Sequence, residues 1–283
     1  MGGFFEGWYY KQQTNEHIFA VIPALHQDEH GQKSGSIQII TDTFSCNLVY
    51  PAQVCRFRRN QPKCIIGQNY FSDKGLRLNI NQTGVTRRGT LVFGAPVRPR
   101  YDIMGPFAAV PFMQCRHKVY SLRHSVNGRV EINGKPLVFA NGIGYLEGDC
   151  GASFPQHYLW TQCLLDGGGS VMLSVASIPF LNGTFEGIIG IVYLHGHEYR
   201  IATYCGAKVA AVSSGKAVVR QGALCFTAEL LACEAHPLQA PVNGNMSRII
   251  HESAACRVHY LLTRGSETLL DITADNAAFE FEA

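Results

Sequence analysis

Over most of its length the sequence is a succession of short apolar runs cut by turn dipeptides, and that pattern leaves few folds open. Leu76, Leu78 and Ile80 alternate with Arg77 and Asn79, the period of two that turns one face of a strand inward. Residues 36–41 read the same way. Asn127-Gly128 and Asn133-Gly134 are hairpin dipeptides, since a tight two-residue turn needs positive φ at both positions. They divide 119–125, 129–132 and 135–139 into a meander. His195-Gly196, Ser213-Ser214-Gly215 and Arg264-Gly265 separate further strands, and Phe279 and Phe281 share a face of a final one. No stretch sustains three turns of amphipathic helix. Many antiparallel strands with short turns predict an all-β chain of barrels or sandwiches.

With 283 residues, 46% of them hydrophobic, the chain can bury a sizeable core. That composition excludes a disordered protein. No apolar run is long enough to span a bilayer as a helix, and no basic start followed by an apolar run marks a secretory signal, so none is expected. The 10 cysteines are scattered in apolar stretches. They are expected to be unpaired thiols of a cytoplasmic protein, which leaves the sequons at Asn81, Asn182 and Asn245 without glycans. Residues 1–140 carry 17 Lys/Arg against 8 Asp/Glu, and residues 141–283 carry 7 against 13. Basic clusters such as Arg56-Phe57-Arg58-Arg59 have too few interleaved aromatics for a nucleic-acid groove.

A faint echo at an offset of 141 sets Phe5-Glu6-Gly7-Trp8 on Leu146-Glu147-Gly148-Asp149 and Ile18-Phe19 on Leu159-Trp160. It suggests two similar domains, 1–140 and 141–283, each closing a sheet to remove its edges.

The opening block Gly2-Gly3-Phe4-Phe5-Glu6-Gly7-Trp8-Tyr9-Tyr10-Lys11 resembles the signature of the tocopherol cyclase family. So do Gly105-Pro106-Phe107 with Met113-Gln114-Cys115-Arg116-His117, and Gly144-Tyr145-Leu146-Glu147-Gly148-Asp149-Cys150-Gly151 continuing to Trp160-Thr161-Gln162-Cys163. Pro237-Leu238-Gln239-Ala240-Pro241 and the terminal Ala277-Ala278-Phe279-Glu280 extend the resemblance to the end of the chain. The resemblance implies two lipocalin-like halves around an apolar cavity, and an isoprenoid-like ligand that an acid helps to cyclise. In related barrels the implied reactions are hydration and pericyclic closure. The sequence departs from the family at Cys150, where tryptophan is common, and it lacks the long insertion of the plant cyclases.

Candidate catalytic residues are Glu147, Asp149, Glu6 and His117. Glu147 and Asp149 lie two apart, so on a strand they share a face and could hold one proton between them. Such a raised acid suits alkene protonation; capping a turn or pairing with arginine is the plainer role. Glu6 lies among aromatics, where a carboxylate needs a partner. A salt bridge to Arg116 or Arg123 competes with a role as acid or ligand anchor. His117 could shuttle protons and Arg116 could hold an anionic oxygen, or both could satisfy backbone carbonyls. Trp8 and Tyr10 share one face of their strand, with Tyr9 on the other. Tyr145, Trp160 and Gln162 complete the candidate ligand-binding set, with barrel packing as their alternative.

His195-Gly196-His197 lacks a third ligand, so no metal is expected. No nucleotide, flavin or haem signature is present, and no cofactor is expected. The sequence thus reads as a binder of a hydrophobic small molecule that catalyses acid-assisted cyclisation, hydration or isomerisation, or else as a non-catalytic carrier. It leaves the oligomeric state open.

Overall fold

The computed structural model describes residues 2–41, 44–82, 85–111, 113–180, 183–234 and 236–282; Asn182 lies outside them. The chain forms two compact units. One comprises Met1–Pro99, Met113–Ser153 and Leu238–Arg248; the other comprises Arg100–Phe112, Phe154–Pro237 and Ile249–Ala283.

The first sheet is built from β1 (Phe4–Gln13), β2 (Ile18–Gln27), β3 (Lys33–Thr41), β4 (Ser45–Pro51), β5 (Cys55–Phe57), β6 (Cys64–Ile66), β7 (Asn69–Ser72), β8 (Gly75–Gln82), β9 (Val85–Phe93), β10 (Cys115–Ile132) and β11 (Lys135–Gly151). Its order is β4-β3-β2-β1-β11-β10-β9-β8-β7-β6-β5, a nearly closed barrel. Trp8, Tyr10, Phe19, Ile37, Phe71 and Leu146 belong to its interior cluster.

The second sheet contains β12 (Tyr158–Leu164), β13 (Ser170–Phe180), β14 (Gly183–Leu194), β15 (His197–Ala202), β16 (Lys208–Ser213), β17 (Lys216–Gln221), β18 (Leu224–Ala232), β19 (His236–Val242), β20 (Asn245–Arg264) and β21 (Glu267–Glu282). It runs β15-β14-β13-β12-β21-β20-β18-β17-β16, with β19 paired to β20 off this path, and forms a half-barrel. Leu159, Cys163, Phe226, Tyr260 and Phe279 lie in its core, with Phe281 packed against it. The expected all-β chain with two lipocalin-like halves is therefore what forms.

Both sheets repeat one topology. β1 lies between its hairpin partner β2 and the sheet's last strand β11, just as β12 lies between β13 and β21. Of the echoing segments, residues 5–8 and 146–149 are hydrogen-bonded neighbours in one sheet, with Glu6 opposite Cys150, while Ile18-Phe19 and Leu159-Trp160 lie on β2 and β12. The strand equivalent to β1 is β12.

Several local expectations are corrected. Asn127-Gly128 is not a turn, since β10 runs through it with a register shift between Val126 and Gly128. Gly128 has φ 134°, and a Cβ there would lie 2.2 Å from the Thr90 carbonyl oxygen. The glycine thus permits the close approach of β9 at a bulge. Asn127 spends its side-chain oxygen on the Asn141 amide, 3.0 Å away. Asn133-Gly134 does turn, with φ 49° and 79°. Position 140/141, the expected boundary, falls inside β11, and the segment Met113–Ser153 belongs to one unit. The hairpin arm at 268–273 and the strand carrying Phe279 are one element, β21. Finally, Cys233 and Cys256 form a disulfide, where unpaired thiols were expected. Antiparallel pairing sets Ala232 opposite Arg257, which brings the two cysteines to a Cα separation of 4.5 Å. Among the described residues no helix is long and apolar enough to cross a membrane.

Candidate functional site

Leu146 belongs to the barrel interior, so the period of two turns Tyr145, Glu147 and Asp149 to the opposite face of β11. On β1 that face carries Gly7, Tyr9 and Lys11, opposite Asp149, Glu147 and Tyr145 respectively. On β10 it carries His117, directly opposite Asp149. A face turned away from the core would ordinarily be wet. Here Tyr145 and Lys11 are fully buried and Glu147 is 4% exposed.

His117 holds this cluster together. Its Nδ1 hydrogen-bonds to Asp149 Oδ1 at 2.9 Å. Its Nε2 lies 3.1 Å from Glu147 Oε2, close enough for an ion pair but without the alignment of a hydrogen bond. Tyr145 donates its hydroxyl to the same Glu147 oxygen at 2.6 Å, and Cys115 Sγ donates to Asp149 Oδ1 at 3.5 Å. Burial alone would lower the His117 pKa, but the two carboxylates outweigh it and hold the pKa well above the usual histidine value. Burial and the Glu147 charge push the Tyr145 hydroxyl well up, so it stays a neutral donor. Burial and Asp149 do the same for the Cys115 thiol.

His117, Glu147 and Asp149 could each offer a ligand atom to a cation, all within 4.8 Å of one another. The imidazole, however, turns a different nitrogen to each carboxylate. In this arrangement the ring is paired twice. A histidine stands between the two carboxylates that were expected to share a face.

The other candidates separate by strand parity. Glu6 pairs across the sheet with Cys150, on the opposite face from Asp149. Its carboxylate accepts from the Asn60 amide at 2.8 Å. Burial raises its pKa, opposed by that hydrogen bond and by Arg59. The Asn60 amide and the Arg59 charge thus act on the Glu6 carboxylate. Arg116 is likewise opposite Cys150, one residue and one face away from His117. Trp8 and Tyr10 lie in the packed core. Trp8 stacks on Phe57 with ring centroids 5.9 Å apart, and the Tyr10 hydroxyl donates to the Pro62 carbonyl.

Trp160 and Gln162 lie on β12 in the second unit, opposite Glu280 and Ala278. Their neighbours Leu159 and Cys163 face the core, so Trp160 and Gln162 turn the other way. Gln162 is fully buried, with both amide atoms unpartnered. Tyr158 donates to the Glu280 carboxylate beside them.

Lys11 and Cys115 were not singled out from the sequence. The available signal was spacing: Lys11 follows Tyr9, and Cys115 precedes His117, by two residues each.

No protein-family model matches the chain, and no curated protein matches it. Solved structures do. Kievitone hydratase from Nectria haematococca aligns at 12% identity and a TM-score of 0.54, over 99% of this chain and 89% of that one. CghA with Sch210972 aligns at 11% identity and a TM-score of 0.63, over 99% and 88%. CghA alone gives 10% identity and a TM-score of 0.62 over the same shares. At these identities the likeness establishes a shared fold, the lipocalin-like β architecture described above.

Proposed function

We propose that this protein binds a hydrophobic isoprenoid or lipid-like small molecule and catalyses its acid-assisted hydration or cyclisation without a cofactor. The observation that carries this reading is the His117 ring held between Asp149 and Glu147, on a face that contributes nothing to the barrel core. Asp149 orients the ring through Nδ1. The misaligned contact at Nε2 leaves that proton the easier one to pass to a developing carbanion, enol or alkene centre. Glu147, steadied by Tyr145, can take a proton from the attacking water or phenol. One proton enters and one leaves, so no redox partner is needed. The resemblance of the opening block and of residues 144–162 to tocopherol cyclases supports an isoprenoid-like substrate and ring closure. Kievitone hydratase, similar in fold, is by its name a hydratase.

One observation favours the alternative of a non-catalytic carrier. Both His117 nitrogens already face carboxylates, as they would in a purely structural ion pair. Native mass spectrometry of the purified protein, with extraction and identification of what co-purifies, separates the two. A bound prenylated or polyene molecule that wild type converts, and that Asp149→Asn and His117→Gln bind without converting, supports catalysis. Binding with no conversion by wild type supports carriage. Protein that neither retains nor turns over any such molecule rejects both.

A further inference from the structure

A polar pocket of about 280 Å³ lies in the first unit on the outer face of β2, β3 and β4. Its lining includes His26, Asp28, Ser34, Ser36, Asn47 and Gln239. Ile37 and Ile39 point into the barrel, so Ser36 necessarily points out. The turn at Asn243-Gly244 closes one end, fastened by the Gly244 amide to the Ala152 carbonyl at 2.8 Å and by the Asn243 amide to Ser153 Oγ at 2.8 Å. A Cβ on Gly244 would sit 1.9 Å from the Gln27 carbonyl oxygen, so this close seat requires glycine.

Two residues of this lining keep a buried polar atom without a protein partner. His26 is 5% exposed. Its Nε2 is joined to Ser36 Oγ at 2.8 Å, and its Nδ1 is left over whichever tautomer the ring adopts. Asn47 donates its amide to Gln239 Oε1 at 2.6 Å, and its Oδ1 has no partner. Gln239 is in turn fixed by a reciprocal pair of bonds with Gln38, and Asp28 is held by the His30 and Gln32 amides. The walls are thus braced by their own hydrogen bonds. Buried polar atoms left unpaired in such a wall cost stability unless something else satisfies them.

The charge and donor balance restrict what that could be. No lysine or arginine is among the described lining residues, so an anion would meet the Asp28 carboxylate with no countercharge. The groups on offer are an amide oxygen, a carboxylate, hydroxyls and an imidazole, which suit a ligand that brings several O–H groups. We propose that this pocket binds a small neutral polyol of the monosaccharide or cyclitol class, at a site separate from the His117 cluster and independent of the reaction assigned to it.

The test is saturation-transfer NMR on the whole protein, with myo-inositol and glucose as probes and with ethanolamine and acetate as charged controls. Two variants accompany wild type. Asn47→Leu removes the free acceptor. Val49→Trp fills the pocket from Val49, which lines it and is 63% exposed, so that the core is untouched. The expected result is transfer to a polyol in wild type, a shift of the His26 ring resonances on titration, and at least about tenfold weaker binding in Val49→Trp and in Asn47→Leu. If Asn47→Leu does not fold, Val49→Trp carries the test alone. Transfer to neither polyol, transfer only to a charged control, or polyol signals that persist in Val49→Trp would each overturn the assignment.

Discussion

His117 and Asp149 stand directly opposite one another on β10 and β11, and the Nδ1–Oδ1 hydrogen bond of 2.9 Å joins residues 32 positions apart. Cross-strand register alone places them, because residues directly opposite in an antiparallel pair share a face at about 5 Å. Glu147, two residues back on β11, then meets the other ring nitrogen. The separation that hides this cluster in the sequence is closed by the single turn at Asn133-Gly134.

The pairing makes stability depend on alkaline pH. His117 is largely enclosed, and its two carboxylate neighbours hold its folded pKa well above its unfolded value near 6.5. The folded state therefore holds that proton more tightly. The contribution is complete below about pH 6.5 and is lost as pH rises through the folded value. Urea midpoints of wild type are expected to fall as pH rises above about 7, with a smaller fall in His117→Gln. Parallel slopes for the two proteins would remove the pairing as the cause.

Acid pH acts through other histidines. Burial lowers His26 and His124 from 6.5 to about 4. The unfolded chain takes up these protons first, so stability present above about pH 6.5 is lost as pH falls toward 4. Each histidine contributes up to ~3 kcal/mol across that window. His124→Asn is expected to flatten the acid limb of a thermal-melt profile, and an unchanged limb would count against burial as the origin.

Arg200 fastens the segment 100–104 within the second unit. It bonds the Glu198 carboxylate, the Tyr101 and Asp102 carbonyls and the Tyr204 hydroxyl, and lies over the Tyr101 ring at 3.7 Å. Lysine cannot reproduce that planar fork. Arg200→Lys should cost on the order of 3 kcal/mol in chemical denaturation, the scale of breaking a buried pair. Faster proteolysis between residues 99 and 112 should accompany the loss.

Gly128→Ala should destabilise the first unit by about 1–3 kcal/mol, since a Cβ there collides with the Thr90 carbonyl at an unfavourable φ. Amide exchange should speed up along β9 while β2 and β3 keep their protection. Uniform loss of protection would indicate a global effect instead.

The sequence by itself determined the all-β class, most strand positions, the turns at Asn133-Gly134 and His195-Gly196, and the facing of Trp8 and Tyr10 away from Tyr9. These follow from a period of two and from turn chemistry, both of which are local. It also brought Glu147, Asp149, His117 and Tyr145 forward as candidates and set Glu147 and Asp149 on one face, with no means of bringing His117 to them. Only the tertiary structure decided that Glu6 and Arg116 face away from that cluster, that Asn127-Gly128 is a bulge, and that Cys233 reaches Cys256. Each of these depends on cross-strand register, which no residue fixes alone: a shift of one position reverses every facing on a strand.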